Sequence, residues 1–251
     1  MLLLSLACTP VTLDPGSETT DTADPVVEEQ WAASFYEPLR LLEVEVDLPP
    51  EDWEELRHQS RNLIDMLSGE DCLAEPFERP YTWFEGEVSL DGQPFSRVGV
   101  RKKGLLGSVE PGRPSLKLQL NRELDQHFEE VTAITLNNGR QDATRLKTCM
   151  GYEILGRAGV AAPRCSLAHV TVNGEDLGLY ANVEPIKPPL LARSFGGDGS
   201  GDLYEGTLSD FRTGWVRSFQ DKNGGDLAEL EALTEAVEQL DDEDFLVRVE
   251  E

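Results

Sequence analysis

The strongest constraint on the fold is a set of short runs in which apolar and polar residues alternate with a period of two. Leu39–Leu48 (LRLLEVEVDL, alternating from Leu42) and Ser115–Leu120 (SLKLQL) are the clearest. Such a period places one side of the chain in a core and the other in water, which describes a half-buried β-strand. The same reading predicts strands over 81–90, 95–101, 131–137, 164–172, 177–183 and 202–205. Asp91-Gly92 and the Asn173–Asp176 segment between neighbouring runs are hairpin-turn signals. Helices are predicted over 51–67, with Trp53, Leu56, Leu63, Ile64 and Leu67 as its apolar stripe and Gly69 as its stop, and over 143–158. The second has Asp142 as N-cap, Leu146, Met150, Ile154 and Leu155 as stripe, and Gly159 as stop. Shorter helices follow at 190–195, 226–240 and 244–250. The expected class is α+β, a mainly antiparallel sheet with packed helices.

Charge narrows the partners. The chain carries 48 acidic and 22 basic residues, a net −26. That points away from nucleic acid and from anionic membrane surfaces, both of which need a basic face. No run of 18 apolar residues exists to make a membrane-spanning helix. Met1–Cys8 (MLLLSLAC) reads as the end of a bacterial lipoprotein signal with Cys8 as the lipidated residue, and a start codon placed too far downstream accounts for its missing basic front half. Residues 9–35 are expected to be an acidic tether, since Thr9–Glu29 has almost nothing to bury. The protein is therefore expected outside the cytoplasm, on the membrane only through a lipid anchor. In such a compartment two of Cys72, Cys149 and Cys165 can pair, leaving one free. His58, His127 and His169 are scattered, and no Cys/His spacing suggests zinc. The Asp198–Asp202 segment is oxygen-rich but lacks the glutamate spacing of a calcium loop.

Against that acidity, Arg97–Arg122 stands out. It holds Arg97, Arg101, Lys102, Lys103, Arg113, Lys117 and Arg122 with one acid, Glu110, and so sits at +6 while the rest of the chain sums to −32. Gly99, Gly104 and Gly107 divide it into strand, loop and strand. Cations around a glycine-bearing loop can hold phosphate, because glycine lets backbone N–H groups approach an anion. The other reading is a cationic hairpin that ion-pairs with an acidic surface. The loop is not a P-loop, because Leu105 and Leu106 stand where Lys and Ser or Thr are required. Strand, glycine loop and a strand with an outward lysine is the arrangement that protein kinases place over ATP phosphates. Lys117 is then the phosphate lysine. Glu153, the only acid in the 143–158 helix, is its candidate partner. The segment Tyr180–Pro185, with Glu184, is the candidate hinge for adenine.

These residues carry a family resemblance. Val98-Gly99-Val100-Arg101-Lys102-Lys103-Gly104, the Lys117 strand, Leu136-Asn137-Asn138, Ala162-Pro163-Arg164, Val172-Asn173-Gly174, Gly178-Leu179-Tyr180, Val183-Glu184 and Asp202-Leu203-Tyr204-Glu205 resemble, in order, the landmarks of the CotH family of atypical kinases. The resemblance implies a fold like the N-lobe of a protein kinase, binding of ATP and Mg²⁺ or another divalent metal, and phosphorylation of protein serines. By position it implies phosphate-facing roles for Arg101, Gly104 and Lys117, a hinge role for Glu184, and Glu153 as the lysine's partner. The family's catalytic base and metal ligands lie in D-G-Y and W-D-x-D segments, and neither occurs in these 251 residues. The implied organisation is a partial signal (1–8), the tether (9–35), an N-terminal lobe (36–225) and the start of a helical C-lobe (226–251). The remaining lobe would be missing or supplied by a separate chain. On this reading the chain cradles nucleotide but has no kinase activity alone; the alternative is a non-catalytic extracytoplasmic binding or adhesion lipoprotein.

Overall fold

The computed structural model describes residues 32–61, 80–105, 110–197, 199–207, 209–241 and 244–247. Cys8, Cys72, Gly69, Gly107, Asp198, residues 62–67 and the tether as far as residue 31 lie outside these. The chain divides into two compact units, and among the described residues the division falls at Gly199–Ser200. The described part of the first unit is 32–61 with 80–197 and 199; that of the second runs from 200 onward.

The first unit is a closed barrel of seven strands. They are β1 (Leu41–Asp47), β2 (Phe84–Leu90), β3 (Gln93–Lys103), β4 (Ser115–Gln119), β5 (Ala133–Asn137), β6 (Cys165–Val172) and β7 (Glu175–Val183), in the order β1-β2-β3-β4-β5-β7-β6. Every pairing is antiparallel except β1 with β6, which is parallel and closes the ring. Asp91-Gly92 and Asn173-Gly174 make the two tight turns, with φ of 49° and 82° and of 50° and 78°. Positive φ at both turn residues matches the twist of the flanking strands. Alternate residues from all seven strands point inward, so Val44, Val88, Val98, Val100, Leu116, Leu118, Ile134, Leu136, Val170 and Tyr180 form one core. The α+β class with a mainly antiparallel sheet is therefore as expected, and its closure into a barrel is new.

One irregularity decides which side of β3 is which. Gly86 pairs with Val98, but Val88 pairs with Phe95, so two residues of β3, Ser96 and Arg97, oppose one of β2. This is a β-bulge, and Arg97 takes a φ of 55° within it. After the bulge, Val98, Val100 and Lys102 face inward and Arg101 and Lys103 face outward.

The helices differ from expectation at their ends. Helix α1 (Pro50–His58) stops at His58 because Gln59 turns extended (ψ 132°). The Gln59 side chain holds that geometry by donating to Thr82 Oγ1 and accepting from the Thr82 N–H. Helix α2 (Lys147–Arg157) begins four residues late, after Arg145 at φ 62° interrupts the helical backbone. Asp142 caps from outside: its carboxylate accepts from the N–H groups of Thr144 and Lys147 and from the Thr144 hydroxyl. Those bonds, the Thr144 hydroxyl foremost, hold its pKa down at about 2. The stripe expected to be buried faces outward, with Met150 57% and Ile154 63% exposed. Cys149 and Tyr152 instead pack on Cys165, Ala181 and Val183, and a Cys149–Cys165 disulfide ties α2 to β6. Ala32 and Phe35, at the end of the expected tether, are buried in the barrel core; their apolar side chains explain why they leave the solvated segment. Arg40 lies over the Phe35 and Phe128 rings and pairs with Asp91 and Glu129.

Helix α3 (Pro188–Phe195) follows β7. The second unit holds a two-stranded sheet of β8 (Tyr204–Gly206) and β9 (Phe219–Asp221), a 3₁₀ turn at Val216–Ser218, and helix α4 (Ala228–Gln239). The 3₁₀ turn and β9 were not foreseen. Tyr204, Val216 and Leu230 form its small core.

Lys102 is the cost of the bulge. It is fully buried, and its Nζ donates to the Arg57 carbonyl, at 2.5 Å, in the last turn of α1. A cation suits a helix C-terminus, yet desolvation lowers its pKa to about 8. Between pH 8 and 10.5 the unfolded chain holds the proton and the fold does not, so this residue's contribution to stability rises with pH over that window. Urea unfolding of wild type and Lys102→Met across pH 7–10.5 is expected to show wild type gaining relative to the variant from about pH 8 upward. A difference that stays flat with pH would show that the ammonium is not desolvated.

Candidate functional site

The outer wall of β3, β4 and β5 brings the predicted phosphate residues together. Arg101 on β3 is directly opposite Lys117 on β4, which is opposite Thr135 on β5. Directly opposed residues share a face, so the two cations are neighbours on the outside of the barrel, each partly buried. Lys103, two residues on, donates from Nζ to Asn137 Oδ1 at 2.6 Å. Gly104 ends β3 at φ 123°, and its carbonyl accepts from the Tyr81 hydroxyl at 2.8 Å, which pins the start of the glycine loop. Gly99 lies inside β3 rather than in the loop.

Sequence reasoning missed Trp83, and it left Arg122 among the general cations of the segment. The Arg101 guanidinium stands 4.5 Å from the centre of the Trp83 ring, and that of Arg122 stands 5.2 Å from it. Nothing about an isolated tryptophan before a strand marks this role. Only the register set by the β3 bulge could have shown it.

The other cations of the segment are used structurally. Arg97 reaches Glu85 and Glu123. Arg113 lies over the Tyr180 ring and donates to the Leu179 carbonyl. The ion-pairing reading thus holds for Arg97, whereas Arg113 is held by a carbonyl and an aromatic ring and Lys102 by a carbonyl in the core.

Glu153 sits on the exposed side of α2 and accepts from Arg157 Nε at 2.7 Å. That (i, i+4) pair directs the carboxylate along α2. Glu184 follows β7 as expected, but its side chain is inaccessible. Its carboxylate accepts from the Arg164 N–H, from Arg164 Nη2 at 2.9 Å and from Arg193 Nη2 at 2.7 Å. Its own N–H donates to the Arg164 carbonyl. Glu184 therefore joins β6, β7 and α3, and neither its carboxylate nor its N–H is available to a base. An open groove of about 520 Å³ lined by Asp47, Glu85, Glu87 and Arg97 lies elsewhere, around β1 and β2, and its acids would repel phosphate. Among the described residues, no group of three or more His, Cys, Asp or Glu side chains is placed to hold a metal ion.

Comparison with known proteins adds the decisive observation: the CotH kinase protein family model matches residues 100–251, more than half of the chain. The chain belongs to the CotH kinase family. The match begins within β3, one residue before Arg101, and takes in Lys117, Glu153 and Glu184. No curated protein matches the chain.

Removing one partner of a buried ion pair strands the other charges. Glu184→Ala is therefore expected to cost about 3–5 kcal/mol of stability, read as a lowered midpoint in urea. A change under about 1 kcal/mol would mean that Arg164 and Arg193 find other acceptors.

Proposed function

We propose that this CotH-family chain binds ATP on the outer wall of its barrel, with Arg101 and Lys117 on the phosphates and Gly104 beside them, as in the N-lobe of a protein kinase. The observation that carries this reading is the direct opposition of Arg101 and Lys117 across β3 and β4. Two cations held at strand spacing in a chain of net charge −26 suit an anion with several charges close together. Guanidinium and ammonium groups complement phosphate as a planar fork and as a point charge.

The phosphate portion of the nucleotide fits these residues. A divalent ion would draw ligands from the phosphates and from carboxylates, and the described residues do not make a metal centre of their own. In the family, phosphoryl transfer to protein serine is the implied reaction. The part assigned to this chain's residues is to hold and orient the nucleotide. A protein substrate, an extracytoplasmic location and a lipid anchor at Cys8 belong to the same proposal. The Cys149–Cys165 disulfide supports the location, because such bonds persist in oxidising compartments.

Calorimetric titration of the purified chain with Mg-ATP is expected to give saturable binding that Lys117→Ala weakens at least tenfold, about 1.4 kcal/mol, with an unchanged melting temperature. No binding at millimolar ATP would overturn the nucleotide reading in favour of a non-catalytic binding or adhesion protein.

A further inference from the structure

Helix α2 is tied to the barrel more by a bond than by packing. None of its 11 residues is fully buried. Cys149 and Tyr152 are the partly buried side chains that pack on Cys165, Ala181 and Val183. Those three alternate with the core residues of β6 and β7 and so lie on the outer wall. The Cys149–Cys165 disulfide makes the contact covalent across a sequence separation of 16.

By itself the helix has little to hold it. An isolated helix shorter than about 12–15 residues is marginal in water. Leu146 at its N-cap makes no side-chain cap, and its first turn carries Lys147 and no acid, against the macrodipole. Asp142 accepts from the Lys147 N–H, and Glu153 pairs with Arg157 on the surface, but an exposed pair of that kind contributes little. Gly151 and Gly156 weaken the helix further. A Cβ at either position would meet nothing within 4 Å beyond the helix's own backbone, and neither glycine has a positive φ. Neither packing nor backbone geometry therefore calls for glycine there, and the effect of both is to keep α2 weak.

We infer that α2 is a redox-conditional element, docked and helical while Cys149 and Cys165 are joined, and released and unwound when a dithiol reduces them. Cys149 is partly exposed and Cys165 is buried, so the incoming thiolate attacks Cys149 Sγ. The S–S bond breaks, and Cys165 leaves as a thiolate that takes up a proton. The second thiolate of the dithiol then attacks the mixed disulfide and releases Cys149, which is protonated in turn. The dithiol ends as its own disulfide, and its two protons are on the cysteines. Release uncovers Cys165, Ala181 and Val183, so the redox state sets what the outer wall of β6 and β7 presents. The inference does not depend on the nucleotide reading.

The test is hydrogen exchange of the full chain, read by mass spectrometry, with and without dithiothreitol. The amides from Met150 to Ala158 bond within α2 when it is helical, and they are expected to be protected in the oxidised wild type. Reduction, or Cys149→Ala, should speed their exchange at least tenfold while the barrel strands keep their protection, and reoxidation of the wild type should restore it. In the reduced chain, Gly151→Ala with Gly156→Ala should slow the same amides at least tenfold. Reduction of the folded wild type keeps the test valid if Cys149→Ala does not fold. Equal protection of α2 in the oxidised and reduced chains would overturn the inference. So would loss of protection in helix and strands together, which would make the disulfide a staple of the whole barrel. No effect of the two alanines, or peptide mapping that finds Cys149 and Cys165 unlinked in the unreduced chain, would overturn it as well.

Discussion

One extra residue in β3 decides what this barrel presents to solvent. Side chains alternate along a strand, so a shift of one position exchanges its two faces. Phe95 is buried before the bulge at Ser96 and Arg97, and Val98 and Val100 are buried after it. Without the bulge, the parity that buries Phe95 would also bury Arg97, Gly99 and Arg101. Val98 and Val100 would then be left in water. The bulge therefore serves the core first, by keeping two valines inside. The outward arginine follows, and so does the inward Lys102. A buried ammonium on a helix carbonyl is an unfavourable feature that the strand carries as a consequence.

Closure of the barrel imposes a second constraint. A sheet of seven strands has no free edge only if its first and last members meet, and here the meeting is the parallel β1–β6 pair. The seam between β5 and β7 is short, with only Leu136–Asn182 and Asn137–Ala181 in register. Beyond it, side chains complete the wall. Arg113 donates to the Leu179 carbonyl and covers the Tyr180 ring, while the Tyr180 hydroxyl donates to the Pro114 carbonyl. The buried Asn138 adds a bond to the Arg113 carbonyl. This explains why a cation and an asparagine next to the outer-wall cluster do not belong to it. They satisfy backbone groups that a longer β5 would have paired.

The sequence carried the strands and hairpins because period two and Asp-Gly or Asn-Gly turns are local signals. It also carried the facing of Lys117, since Leu116, Leu118 and Leu120 leave only one side for it. What it could not carry depends on register or on competing partners. Trp83 meets Arg101 only because the bulge moves β2 one position along β3. Counted back from Asp91-Gly92 without a bulge, Trp83 would oppose Val100. Helix α2 misled for another reason. Its Leu146, Met150, Ile154 and Leu155 make a convincing stripe, but the disulfide and the packing of Tyr152 turn the helix the other way. The identity of the Glu184 partners was equally illegible, because Arg164 and Arg193 come from different elements.

The basic stretch Arg97–Arg122 is thus not a single functional unit. Its cations were sorted by the fold into three kinds: one buried on a helix end, others bound to surface acids or to backbone along the barrel seam, and a group gathered on the outer wall around Trp83. Net charge located the segment but could not separate these, because all carry the same sign at the same sequence density. The difference lies in what each side chain meets. Lys102 meets a carbonyl in the core, Arg97 meets two carboxylates, and Arg101 and Arg122 meet an aromatic face beside a glycine. Arg122 meets the Glu123 carboxylate as well, so one side chain joins an aromatic contact to an ion pair, and the sign of a charge in the sequence says nothing of which contact it will make.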